Sequence, residues 1–186
     1  MFGKYLEAFT EVIEKTVYTD NSGQEKQIDE GFEAVIAFLK ENKDTNARIY
    51  LIGNGGSSGI VSHGAIDFLN ACGFKAHALT DNSLLTCMAN DYGYENVFKQ
   101  PFATLLNPED IVISISSSGT SKNIVSASEA AKSKGCKVIT FSGFSDDNGL
   151  RKTGDFNFWL DSNHYGRVEI GHSLLLHYIT DRLVIK

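Results

Sequence analysis

The sequence predicts a doubly wound α/β domain, a parallel sheet with helices on both faces. Two observations carry this. Apolar runs recur along the chain at Ile49–Ile52, Ala76–Leu79, Ile111–Ile115, Lys137–Phe141 and Phe156–Leu160. Between and after them lie stretches with apolar residues at helical spacing, at Ser57–Asn70, Leu84–Ala89, Asn96–Leu106, Ser121–Ser133 and Val168–Val184. Strands alternating with helices in this way build a five-stranded parallel sheet in a three-layer, flavodoxin-like arrangement.

Taken in order, the chain opens with two amphipathic patterns over residues 1–45. Phe2, Leu6, Phe9, Ile13 and Val17 mark one helical face, and Ile28, Phe32, Val35, Ile36 and Leu39 another. The polar segment "TDNSGQEKQ" between them reads as a mobile loop. Residues 46–186 then carry the parallel core and the last helix. No internal repeat, low-complexity tract or linker interrupts the 186 residues, so one domain is expected. The last helix, "LLLHYITDRLVI", is apolar around more than one face. Such a helix is buried on several sides, by a second subunit or by a central position in one domain.

Composition removes several function classes. A formal net charge of -6 argues against a general nucleic-acid binder, which carries a basic face. No apolar run is long enough to span a bilayer. The N-terminus intersperses Glu7, Glu11 and Glu14 among its apolar residues, unlike a signal peptide. Cys72, Cys87 and Cys136 have no metal-like spacing and read as reduced thiols of a cytoplasmic protein.

Two turns carry the chemistry. The first strand candidate runs out through Gly53-Asn54-Gly55-Gly56-Ser57-Ser58 into a helix, which leaves backbone N–H groups pointing outward, as an anion site needs. The dinucleotide fingerprint fails, because position 58 is serine and no acidic residue follows about twenty residues on. The Walker pattern fails as well. The third strand ends in Ser116, Ser117, Ser118, Gly119, Thr120 and Ser121, again before a helix. One hydroxyl would suffice as an N-cap. Five hydroxyls in six positions can also supply a phosphate with donors without any lysine, and on the residues alone both readings stand.

His63 and Asp67 lie four apart and share a helix face. On spacing alone, ordinary surface residues explain them better than a metal pair does. His177 lies on the last helix, with Glu169 and His172 upstream. His77 and His164 read as structural or exposed.

In combination, "GNGGS", the "AND" of Ala89–Asp91, "SISSSGTS", "KVITFSG" and "GRVEIGHSLLLH" make the chain resemble the sugar isomerase (SIS) domain family, and within it the phosphoheptose isomerases. The resemblance runs over nearly the whole chain. It implies a single SIS domain in a homotetramer with sites at subunit boundaries. It also implies an aldose–ketose isomerase that converts sedoheptulose 7-phosphate to a manno-heptose 7-phosphate through an enediol, in bacterial heptose and surface-glycan biosynthesis such as that of lipopolysaccharide.

Carried over residue by residue, it implies that Ser116, Ser118 and Ser121 hold the phosphate, with amides around Thr120, and that Ser117 also binds the substrate. Asn54, Gly55, Gly56, Ser57, Asn90, Asp91 and Glu169 line the substrate. His63, Asp67, Glu169 and His177 hold one zinc ion, and Asp67 and His177 also move protons. The chain departs from the family at three points. Asp67 stands for a glutamate and Glu169 for a glutamine, and Gly166 stands where an acid is expected. With an unchanged backbone Asp67 sets its carboxylate back by about 1.5 Å. Glu169 and His177 are about 12 Å apart along one helix, so they reach one ion only by leaning together or across subunits.

A rival class is a SIS module without catalysis that binds a sugar phosphate or a protein partner, as a family member associated with the replication initiator does. Retention of His63 and His177, with acids at 67 and 169, favours the enzyme.

Overall fold

The computed structural model describes residues 1–184; Ile185, the last residue of the apolar C-terminal motif, lies outside the described residues. Two elements open the chain: helix α1 (Phe2–Glu14) and a hairpin of β1 (Val17–Asp20) and β2 (Glu25–Lys26). Helix α2 (Ile28–Asn42) follows, then β3 (Arg48–Gly53), α3 (Gly56–Ile66), β4 (Lys75–Ala78), α4 (Asn82–Tyr92), α5 (Lys99–Leu105), β5 (Ile111–Ser116), α6 (Lys122–Ser133), β6 (Lys137–Gly143), β7 (Phe156–Leu160) and α7 (Tyr165–Asp181).

All five expected strands are present and mutually parallel, in the order β4-β3-β5-β6-β7. Their continuous apolar sequences reflect burial on both faces, since β5 and most of β3, β6 and β7 are buried residue by residue. One core packs α2, α3 and α7 against Leu51, Ile113, Phe141 and Phe158; the other packs α5 and α6 against Tyr50, Ile52, Val112 and Val138. Outward from β3, the chain goes to β4 on one side and to β5 on the other. Between β3 and β5 lies the switch point, where the loops after the strands part and leave a crevice.

The sheet has seven strands among the described residues, two more than expected. The segment read as a mobile loop is the hairpin, and Val17, assigned to the first helix, begins β1. Tertiary contacts outweigh the polar composition. β1 pairs antiparallel with β7 from Val17–Trp159 to Asp20–Phe156, and Tyr18 is buried. Asp20 closes the turn by accepting from the Ser22 and Gln24 amides. The buried Arg151 guanidinium donates to Glu25 at 2.6 Å and to Thr19, and lies 4.7 Å from the Trp159 ring centroid. Neither Arg151 nor Trp159 is near the hairpin in sequence, so local pattern could not foretell it.

Candidate functional site

The two turns meet at the switch point. Asn54, Gly55, Gly56, Ser57, Ser116, Ser117, Ser118, Ser121, Tyr165 and Glu169 together line a cleft of about 220 Å³. Both helix N-termini opening on it lack a side-chain cap. Ser121 occupies the N-cap position of α6 but accepts from Ser116 Oγ at 3.2 Å instead of capping. Ser118 Oγ accepts from the Thr120 amide and hydroxyl at 3.3 and 3.1 Å. Thus the hydroxyls bond mainly to one another, and the α6 N-terminus faces the cleft with donors to spare, a setting suited to an anion. The serine run thus forms a turn, with the Gly119 amide donating to the Ser116 carbonyl, and supplies the N-cap residue of α6, but its hydroxyls make no side-chain cap bond.

Further along α3 stands a second cluster. His63 Nε2 lies 3.4 Å and His177 Nδ1 3.3 Å from Asp67 Oδ2. The two imidazoles meet edge to face with centroids 5.0 Å apart. One donor atom from each of the three residues falls within 4.8 Å of the others. Tetrahedral zinc with nitrogen and oxygen ligands at about 2.0–2.1 Å has ligand-to-ligand edges of about 3.3 Å, and both distances to Asp67 match that edge. Three protein ligands with a position left over is the pattern of catalytic sites.

Local sequence brings these residues together. His63 and Asp67 are one helical turn apart. At Asp67 the helix widens into a π turn, Asp67–Ala71, where the Cys72 amide reaches back to the Asp67 carbonyl. Such widened turns are frequent at functional sites. Despite its shorter side chain, Asp67 reaches both histidines. Helix α7 can approach because position 64 is glycine: a Cβ there would lie 2.5 Å from Leu176 Cδ2. The approach of Leu176 carries its neighbour His177 over His63.

Glu169 does not join this trio. Its carboxylate rests against the first residue of α3, where a Cβ on Gly56 would lie 2.4 Å from Glu169 Oε1. It is therefore a wall of the serine cleft. Asn90 and Asp91 are exposed at the end of α4, bonded to each other at 2.8 Å, and do not line the cleft. Tyr165, which does line it, was not singled out by motif; its place at the start of α7, one turn before Glu169, was the available signal.

The remaining histidines divide as their surroundings dictate. His77 and His164 are exposed. His172 is fully buried, with Nε2 3.0 Å from the Ser142 carbonyl and Nδ1 without a partner among the described residues. Burial lowers its pKa to about 4. The cysteines are unpaired; burial pushes the Cys72 and Cys136 thiols up to about 11, and Cys87 is exposed beside Asp91.

Comparison with known proteins agrees with this architecture. The SIS domain signature matches residues 4–143. The chain belongs to the SIS domain family. It is 36% identical over 152 residues to the phosphoheptose isomerase of Helicobacter pylori strain P12, covering 78% of this chain and 79% of that one. It is 34% identical over 175 residues to the phosphoheptose isomerase of Sulfurimonas denitrificans, covering 91% and 87%. The solved phosphoheptose isomerase GmhA of Neisseria gonorrhoeae superposes with a TM-score of 0.82 at 26% identity, over 98% of this chain and 94% of that one. No helix among the described residues is long and apolar enough to cross a membrane.

Proposed function

We propose that this SIS protein is a phosphoheptose isomerase, which interconverts sedoheptulose 7-phosphate and a manno-heptose 7-phosphate for bacterial heptose and surface-glycan synthesis. The observation that carries the reading is the distance between the two clusters. Gly56, at the serine cleft, and His63, in the trio, lie on one helix about 10 Å apart along its axis. A sugar phosphate in extended form spans that interval. Its phosphate would rest on Ser116, Ser117, Ser118 and Ser121, and its carbonyl end would reach Asp67 and His177.

Isomerisation moves a proton between adjacent carbons through an enediol, which needs a base at carbon and a partner that serves the oxygens. Asp67 Oδ2 faces the two imidazoles, which leaves Oδ1 to take the proton from carbon. His177, 44% exposed, supplies the partner at the oxygens. His63, Asp67 and His177 would hold the zinc ion, which when bound supplies a positive charge beside the reacting hydroxyls. Glu169 and Tyr165 shape the middle of the groove, with the turn Asn54–Ser57 against the sugar.

The trio is open on one side, since His63 is 64% exposed. Around it Ile66, Leu69, Ile170, Leu174 and Tyr178 expose apolar side chains. That surface favours burial against further copies in a homotetramer, which would dry the site. Three unpaired cysteines suit a cytoplasmic enzyme. The test is turnover on a panel of C5–C7 sugar phosphates together with the metal content of the purified protein. Turnover of sedoheptulose 7-phosphate with about one zinc per chain is expected; no metal and no turnover would place the protein with the binding modules. Sedimentation equilibrium checks the assembly, and a monomer at micromolar concentration would contradict it.

A further inference from the structure

Asn54 does not face the cleft as a free amide. Its Nδ2 donates to Asn123 Oδ1 at 2.9 Å, and Asn123 Nδ2 donates back to Asn54 Oδ1 at 2.9 Å. Asn123 is 3% exposed, in the first turn of α6, and its Oδ1 also accepts from the Ile124 amide at 3.0 Å. That third bond fixes which end of the Asn123 amide is the oxygen. The pairing then fixes the orientation of Asn54. A second loop joins from the other side: Tyr94 Oη donates to Asn54 Oδ1 at 3.1 Å. Its neighbour Glu95 is held to α6 through its carbonyl, which accepts from Ser126 Oγ at 3.0 Å.

Three segments therefore meet through the Asn54 side chain: the glycine turn after β3 that carries it, the first turn of α6 directly after the serine turn, and the segment just beyond Asn90 and Asp91. We infer that Asn123 and Tyr94 are positioning residues, which hold the Asn54 turn in register with the serine turn so that the sugar and phosphate ends of one ligand are met together. This rests on the proposed sugar-phosphate reading of the cleft and assigns to Asn54 a role as the hub of a clasp. A ring of two amide hydrogen bonds suits that task, because it fixes both distance and plane, and a buried amide deprived of its partner is costly. The clasp acts only through Asn54, and this makes it separable from direct contact with substrate.

The test is a double-mutant cycle on kcat/KM for sedoheptulose 7-phosphate. Asn123→Ala should lower kcat/KM about tenfold in the wild-type background and less than about twofold in the Asn54→Ala background, because coupled residues do not add. Tyr94→Phe removes one hydroxyl from a side chain that is 57% exposed, so the fold tolerates it. A loss of about threefold is expected, again absent without Asn54. Losses that add to that of Asn54→Ala would overturn the inference, as would no loss in either single variant. Wild-type turnover is the separate arm that tests the functional reading. If it fails, hydrogen exchange of the amides of residues 54–58 decides the clasp. Exchange about tenfold faster in Tyr94→Phe or Asn123→Ala supports it, and unchanged exchange refutes it.

Discussion

The serine cleft and the His63, Asp67 and His177 trio share α3 and α7 but are built by opposite means. The cleft sits at the carboxyl ends of β3 and β5, where strand direction, loop and helix start are set by the sheet. Its donors are backbone amides and short hydroxyls, which have little conformational freedom to lose. The trio stands on helix surfaces, 25–64% exposed, and each member reaches its place by a side chain. A site of the first kind tolerates changes in ligand chemistry, whereas the second depends on single methylenes.

The largest break is expected at Asp67. Asp67→Asn is nearly isosteric but takes no proton from carbon, so kcat should fall about 10²–10⁴-fold with the fold intact. Full activity would remove Asp67 from the chemistry. Asp67→Glu is more telling. Since Asp67 Oδ2 already stands 3.3 and 3.4 Å from the two histidines, an added methylene overshoots. A misplacement near 1 Å should lower kcat by up to about 100-fold. A rise in kcat would show that the site still favours the longer acid.

At the cleft the loss should appear in KM. Ser116→Ala with Ser121→Ala removes two hydroxyls from the phosphate end. Each lost bond to a charged group costs about 1.5–3 kcal/mol, so KM should rise about 100-fold or more while zinc content is unchanged. Normal binding by the double variant would reduce the serine turn to a structural element. Crossed results, with metal lost from the serine variant, would dissolve the distinction between the two regions.

How far the sequence foretold these regions follows from the same difference. The five parallel strands are continuous apolar runs, and the serine and glycine turns follow β3 and β5 directly, so both were legible. The hairpin was not, because β2 is exposed and its anchors Arg151 and Trp159 lie more than a hundred residues away. Asp67 and His177, 110 positions apart, could be paired only through family resemblance. Glu169 shows the limit of that route: its alignment assigns a metal ligand, and its side chain rests on Gly56. Asn123 carried no motif, since its partner Asn54 is 69 residues away.

A third, milder effect lies behind the cleft at His172. Its pKa, about 4 when folded, is below the ordinary value of 6.5, so the unfolded chain binds the extra proton between these limits. Stability from this residue is complete above pH 6.5 and falls as pH drops towards 4. Urea midpoints at pH 7 and 4.5 should therefore differ less in His172→Gln than in the wild type. An equal difference would mean that other groups set the acid limit. Zinc content at pH 7 should not change, because His172 stands apart from the trio.

The smallest expected effect is the one that assigns Glu169 to a region. Its carboxylate lies in the cleft that would take the phosphate, so two negative charges share one groove when ligand is bound. Repulsion at the edge of the protein is modest, and Glu169→Gln should tighten inorganic phosphate binding about threefold. The amide retains size and shape, so Gly56 still accommodates it. Zinc retention during dialysis against a chelator should match the wild type, because Glu169 is not among the three donors that meet at Asp67. Calorimetric titration with phosphate and metal analysis after dialysis read the two quantities separately. Tighter phosphate with unchanged metal makes Glu169 a cleft residue. Faster metal loss with unchanged phosphate would return it to the ligand set, where neighbouring subunits would have to bring its carboxylate to the ion.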